Sequence, residues 1–180
     1  MIAIDDNIPM NLIRLFNEPA GKALLKEKGV PDEMVNHLDL IGISGASNLA
    51  SAIKFARYNE LTENDWVITV LTDSMEMYES RLNELTLECG SFSQTDAQVV
   101  YSRDLLGLNI DNMEELTYYG KKRIHNLKYY TWVEQQGKTY EEIQEQWYED
   151  SYWTSIVEKA DKIDALIEAF NKKTGLVEKL

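Results

Sequence analysis

The segment WVITVL at residues 66–71 constrains the fold more than any other part of this sequence. It is almost continuously apolar and rich in β-branched residues, which is typical of a central strand in a parallel sheet with both faces covered. Residues 38–43 have the pattern of a shorter strand, and residues 49–58 have the spacing of a helix. Together they predict a parallel βαβ unit over about residues 38–71.

A βαβ unit with only two strands cannot cover both faces of its own sheet. The remaining strands would have to come from a partner chain or from the N-terminal half of a larger α/β protein. We therefore expect a homo- or hetero-oligomer. We also expect the isolated chain to self-associate, because a two-stranded sheet exposes apolar surface and unpaired edges.

The rest of the sequence reads as helical. All three prolines (Pro9, Pro19 and Pro31) lie in the first 31 residues, and no proline follows them. Helices are predicted over residues 10–28, with an interruption near Pro19, and then at 75–88, 94–106, 112–135, 139–149 and 154–174. The expected fold is α/β: a small βαβ piece of a doubly wound sheet within residues 1–88, followed by a helix-rich extension over residues 89–180.

Charge and composition exclude several classes of function. The 180 residues carry a formal net charge of −13, which disfavours nucleic acid and anionic membranes as partners. A single cysteine, Cys89, excludes an internal disulfide and a cysteine-based zinc site. Acidic residues at positions 5 and 6 are unlike a secretory signal, and no apolar stretch is long enough to cross a bilayer. The expected location is the cytoplasm.

Two short polar motifs stand next to the predicted strands. GISGASN at residues 42–48 has two glycines that let a ligand approach the backbone, and it precedes a helix whose free N–H groups favour an anion. Ser47 or Asn48 could equally be an ordinary helix cap. LTDS at residues 71–74 follows the stronger strand, where open α/β sheets bind ligands. Thr72 or Asp73 could instead begin a helix, with Glu76 completing a capping box.

Taken together, the two motifs and the helix between them resemble the C-terminal end of the fold type II pyridoxal-phosphate enzymes. This group includes the cysteine synthases, threonine synthases and threonine dehydratases. The resemblance implies that pyridoxal 5′-phosphate binds in the assembled or full-length protein. It places the first motif along the cofactor cleft and the second at the pyridine nitrogen. The implied cofactor-binding residues are Gly42, Ser44, Gly45, Ala46, Thr72, Asp73 and Ser74.

The sequence departs from this family in two ways. The natural alignment puts Asp73 where the family usually has Ser or Thr, although a slip of one residue would put Ser74 there. A carboxylate at that position would keep the pyridine nitrogen protonated. The chain also lacks the family's Schiff-base lysine in a Ser-x-Lys context and its glycine-rich phosphate loop. Lys54, which lies within a predicted helix, is expected to be solvated.

The sequence therefore predicts one wall of the cleft of an enzyme acting on an amino acid by β-elimination, replacement or related lyase chemistry. No catalytic residue is assigned to this chain. The alternative is a non-catalytic helical module, derived from such an enzyme, that binds a partner. The segment 118–132 also looks like a helical extension found in a β-subunit-like branch of these enzymes. Its basic and aromatic residues are expected to pair within the chain, and His125 is expected to be packed rather than to bind a metal.

Overall fold

A computed structural model describes residues 1–175. The chain divides into two compact units, Met1–Glu114 and Glu115–Leu180. The boundary expected from the sequence lay at residue 88/89, whereas residues 89–114 belong to the first unit. No helix in the described part of the chain is long and apolar enough to span a membrane. Within residues 1–175, no group of His, Cys, Asp and Glu is arranged to hold a metal ion.

The first unit begins with three helices: α1 (Asn7–Asn17), α2 (Pro19–Glu27) and α3 (Asp32–Asn36). The predicted interruption at Pro19 is confirmed, because Pro19 stands at the start of α2, where its missing N–H costs no helical hydrogen bond. The apolar positions of α1 face the interior. With residues of α2 and of two later helices, they form the centre of the core of this unit: Leu12, Ile13, Leu15, Phe16, Leu24, Ala46, Ala50 and Ala97.

The predicted βαβ piece is wrong. The structure is 67% helical, and no sheet occurs among residues 1–175. The first predicted strand is replaced by a turn of 3-10 helix, Leu38–Leu40, which buries Leu38. It leads into α4 (Ile43–Tyr58), which begins well before the predicted start at residue 49. The one β-type contact among the described residues is an isolated bridge between Ile2 and Met113.

The second predicted strand, residues 66–71, has no regular secondary structure. Its apolar composition suits a strand, but a strand exists only when a neighbour supplies backbone hydrogen bonds. The residues predicted to pair with it form the helical turn and the beginning of α4 instead. The apolar pattern therefore indicates strand propensity, but it does not show that a neighbouring strand is present to form a sheet.

The remainder of the first unit is helical. A 3-10 turn, Met75–Tyr78, leads into α5 (Glu79–Cys89), and α6 (Gln94–Val100) continues as the π-helical turn Tyr101–Leu106. In this unit α1 packs against α4, and α2 packs against α6.

The second unit contains α7 (Tyr118–Asn126), a π-helical turn (Tyr129–Val133), α8 (Tyr140–Tyr148), α9 (Ser151–Val157) and α10 (Ala160–Thr174). The single helix predicted over 112–135 is thus divided. Gly175 ends α10 in the left-handed conformation, with φ of 59°, as the sequence predicts. Ile143 and Gln146 are the buried residues in the described part of this unit.

Candidate functional site

The two polar motifs meet in the folded chain. The backbone N–H of Gly42 donates a hydrogen bond to the carbonyl oxygen of Asp73 at 2.9 Å. A Cβ at position 42 would lie 2.8 Å from that carbonyl oxygen and 2.9 Å from the Asp73 Oδ1. Both distances are too short for real Cβ contacts, so glycine is what allows this approach.

The side chain of Asp73 is held by two hydroxyl groups. The Tyr78 hydroxyl donates to Oδ2, and the Thr72 hydroxyl donates to Oδ1 at 2.9 Å. The hydrogen bond to Asp73 raises the pKa of the Tyr78 phenol, with smaller contributions from desolvation and from the Asp73 charge. Asp73 itself is partly exposed. Its carboxylate is therefore positioned by neighbours and still reachable from solvent.

The other residues of the first motif have different environments. Ser44 is exposed in the first turn of α4, whereas Gly45 and Ala46 are buried. A Cβ on Gly45 would lie 3.3 Å from methyl carbons of Ile41 and Leu71, so Gly45 is a close-packing position beneath the second motif. Gly45 and Ala46 thus pack the helix against its neighbours and are not presented to a ligand.

The helix-cap interpretations of both motifs are wrong. Gly42 is the N-cap of α4, and no side chain caps that helix. Asn48 lies inside the helix, and its Nδ2 donates to the carbonyl of Val70 at 3.0 Å. Ser74, not Thr72 or Asp73, precedes the 3-10 turn, and it makes no side-chain cap. No side chain of either motif therefore caps a helix, and the motifs instead make hydrogen bonds between segments.

A cavity of about 460 Å³ opens beside Ser74. Three carboxylates line it, those of Asp39, Glu76 and Glu79. A phosphate group would be repelled there, because like charges at close range disfavour each other. This cavity therefore disfavours a phosphate or another anionic group.

Lys54 is buried, so the expectation that it is solvated is wrong. Its side chain is 2% exposed, and its Nζ donates to the carboxylate of Asp111 at 2.5 Å and to the Asp111 carbonyl at 2.8 Å. The signal was present in the sequence, because Lys54 continues the four-residue spacing of the buried Ala46 and Ala50. A buried, paired ammonium is not available as a covalent cofactor anchor.

The basic and aromatic residues of the second unit contact one another. The Lys122 ammonium lies 4.2 Å from the centroid of the Tyr148 ring and 4.9 Å from that of Trp147. The His125 ring packs against Trp147, and its Nε2 lies 2.9 Å from the Ile143 carbonyl oxygen. The predictions of internal pairing and of a packed His125 are thus confirmed for these residues.

Comparison with known proteins does not assign the chain to a family. No protein-family model, curated protein or solved structure matches the chain.

Proposed function

We propose that this chain forms one wall of a pyridoxal-phosphate cleft in an enzyme that acts on an amino acid. The supporting observation is the hydrogen bond between the Gly42 N–H and the Asp73 carbonyl, which joins the two motifs that carry the resemblance. The lysine that binds the cofactor covalently and the phosphate loop are supplied by other residues, from a partner chain or a further part of the protein.

The role of Asp73 follows from its charge and its supports. A carboxylate beside a pyridine nitrogen favours the protonated, cationic ring. Because Thr72 and Tyr78 each donate to one carboxylate oxygen, the orientation of Asp73 is set before a ligand arrives. Each oxygen retains a further lone pair for an N–H donor. When bound, pyridoxal phosphate supplies an electron sink for negative charge at the α-carbon of an amino acid.

The other residues of the site have supporting roles in this proposal. Gly42 lets the two motifs approach, and Gly45 lets α4 pack under Leu71. Ser44 is exposed in the first turn of α4 and can reach a ligand there. The acidic lining of the cavity near Ser74 directs the phosphate away from this wall.

The test is an absorbance spectrum of the protein purified from the cells that produce it naturally, so that any partner chain is present. The tagged full chain is purified with whatever it retains, and its visible absorbance is recorded before and after borohydride reduction. Mass spectrometry then locates the reduced cofactor. We expect pyridoxal-phosphate absorbance, with the adduct on a lysine outside these 180 residues. Absence of retained cofactor overturns the proposal. An adduct on a lysine of this chain would show that the covalent lysine is not supplied by other residues.

Variants identify the residue that faces the ring. Asp73→Asn should change the pH dependence of the cofactor absorbance, because the amide carries no charge to hold the ring proton. Gly42→Ala should have a similar effect, since the added methyl would displace Asp73. The matched control is Asp161→Asn, which removes an exposed carboxylate of α10 outside both motifs. A spectrum that Asp73→Asn leaves unchanged rules out this role for Asp73.

A non-catalytic interaction module is the second candidate. The observation in its favour is the number of large apolar side chains left exposed, including Trp66 and Ile68 in the first unit and Leu166 and Phe170 on α10. Such a module would retain partners in the same purification without any cofactor absorbance.

A further inference from the structure

Within the described residues, the backbone of residues 66–71 makes a single hydrogen bond. Among the described residues, no other backbone group hydrogen-bonds to this segment, and the side-chain amide of Asn48 holds only the Val70 carbonyl. Just after the C-terminal end of the segment, the Asp73 carbonyl accepts a hydrogen bond from the Gly42 N–H. The remaining N–H and C=O groups of the segment are therefore open to a partner.

The side chains of the segment divide between two faces. Trp66, Ile68 and Val70 are 91%, 90% and 68% exposed. Val67 and Leu71 are less exposed, and Leu71 packs over Gly45 of α4. This alternation is the two-residue period of an extended chain. Leu71 rests on α4, while Trp66, Ile68 and Val70 are left largely exposed.

The segment runs along α4. Val70 lies beside Asn48, near the start of the helix, whereas Val67 and Thr69 share a cavity of about 300 Å³ with Phe55, further along it. The helix thus supports the segment as a layer beneath it. An exposed apolar segment of this kind marks an interaction site, and unpaired extended backbone is the template for strand addition.

Charge decides what kind of chain can be added. Acidic residues bracket the segment: Glu63 and Asp65 precede it, and Asp73 and Glu76 follow it. In an antiparallel pairing of two copies about Thr69, Asp65 of one copy would face Asp73 of the other, which is destabilising. Each copy would also carry a net charge of −13. A second copy paired in this register is therefore disfavoured.

We infer that residues 66–71 accept, by backbone pairing, an extended β-branched segment of a different polypeptide with basic residues at its ends. Backbone hydrogen bonds supply the affinity, and the flanking charges supply the selectivity. Asp73 belongs to both proposals, but the peptide titration needs no cofactor, so its outcome tests this inference separately from the proposed function.

The probes are two synthetic peptides, KKVTVIVTKK and EEVTVIVTEE, titrated into the full chain by calorimetry at low salt. We expect the lysine-flanked peptide to bind about tenfold more tightly, with the difference shrinking as salt is added. Equal binding, a preference for the glutamate-flanked peptide or no binding of either overturns the inference.

Backbone pairing is tested separately from side-chain contact. Ile68→Pro removes one N–H donor at a side chain that is almost fully exposed, and Ile68→Ala is the matched control that keeps the donor. We expect the proline variant to bind the lysine-flanked peptide about tenfold more weakly than the alanine variant. An N-methylated form of that peptide should fail to bind the native chain, which checks the same point without altering the fold.

Other occupants give different results. If the chain dimerises in sedimentation measurements and Ile68→Pro abolishes the dimer, the occupant is a second copy and the inference is wrong. If the proline variant and the N-methylated peptide bind as well as their controls, the surface binds side chains only, and strand addition is excluded.

Discussion

The ammonium of Lys54 on α4 is paired with the carboxylate of Asp111, which follows the π-helical turn that ends at Leu106. Lys54 is buried, whereas the Asp111 side chain is 55% exposed. The pair joins α4 to the irregular segment that leads to the end of the first unit. It therefore stabilises a contact between two parts of the chain that are distant in sequence.

Removing the Asp111 carboxylate should lower the free energy of unfolding more than removing the Lys54 ammonium. Asp111→Ala leaves the Lys54 ammonium with one backbone acceptor, and we expect a loss of about 1.5–3 kcal/mol in the free energy of unfolding. Lys54→Met should cost less, because it removes the buried charge and keeps an apolar side chain of similar length. Urea denaturation followed by circular dichroism measures both variants. Asp161→Ala is the control, and a larger cost for Lys54→Met would contradict this account.

The Tyr78–Asp73 hydrogen bond predicts a high-pH effect. Because the folded-state pKa of Tyr78 is raised, its contribution to stability is complete below the unfolded pKa of about 10 and is lost as pH rises through the folded value. Alkaline titration of tyrosine absorbance should show one phenol that ionises late, and this phenol should be missing in Tyr78→Phe. Tyr119→Phe, at an exposed ring, is the matched control. An unchanged late phase in Tyr78→Phe would contradict the prediction.

The capping box at the start of α6 predicts an effect at low pH. Ser93 and Asp96 exchange side-chain and backbone hydrogen bonds, and the bond from the Ser93 hydroxyl is the main cause of a lowered Asp96 pKa. Ser93→Ala should destabilise the fold by about 1 kcal/mol at neutral pH, as loss of an N-cap does.

The acidic behaviour follows from the sign of that shift. The stabilisation from Asp96 is present above its unfolded pKa of about 3.9, and it is lost as pH falls through the lower folded value. The difference between the native chain and Ser93→Ala in urea denaturation should therefore shrink in acid. Thr95→Ala, one residue before Asp96, is the control. A difference that does not depend on pH would show that the carboxylate takes no part in the cap.

The sequence was sufficient for features that depend on near neighbours. The interruption at Pro19 and the end of α10 at Gly175 follow from backbone properties of proline and glycine. The resemblance assigned both motifs to a cofactor cleft, but no sequence pattern predicted the hydrogen bond between Gly42 and Asp73. The burial of Lys54 was visible in its helical spacing, but its partner Asp111 could not be found from local pattern.

Local sequence thus determined the helix boundaries at Pro19 and Gly175, which residues carry charge and which segment is suited to pairing. Only the tertiary structure decided that residues 38–43 form a helical turn and the start of α4, and that residues 66–71 lie unpaired along that helix. The physical reason is that a helix satisfies its hydrogen bonds within one segment, while a strand needs a neighbour from elsewhere. A local pattern can therefore specify a helix, but a strand also depends on which other segment of the folded protein lies beside it.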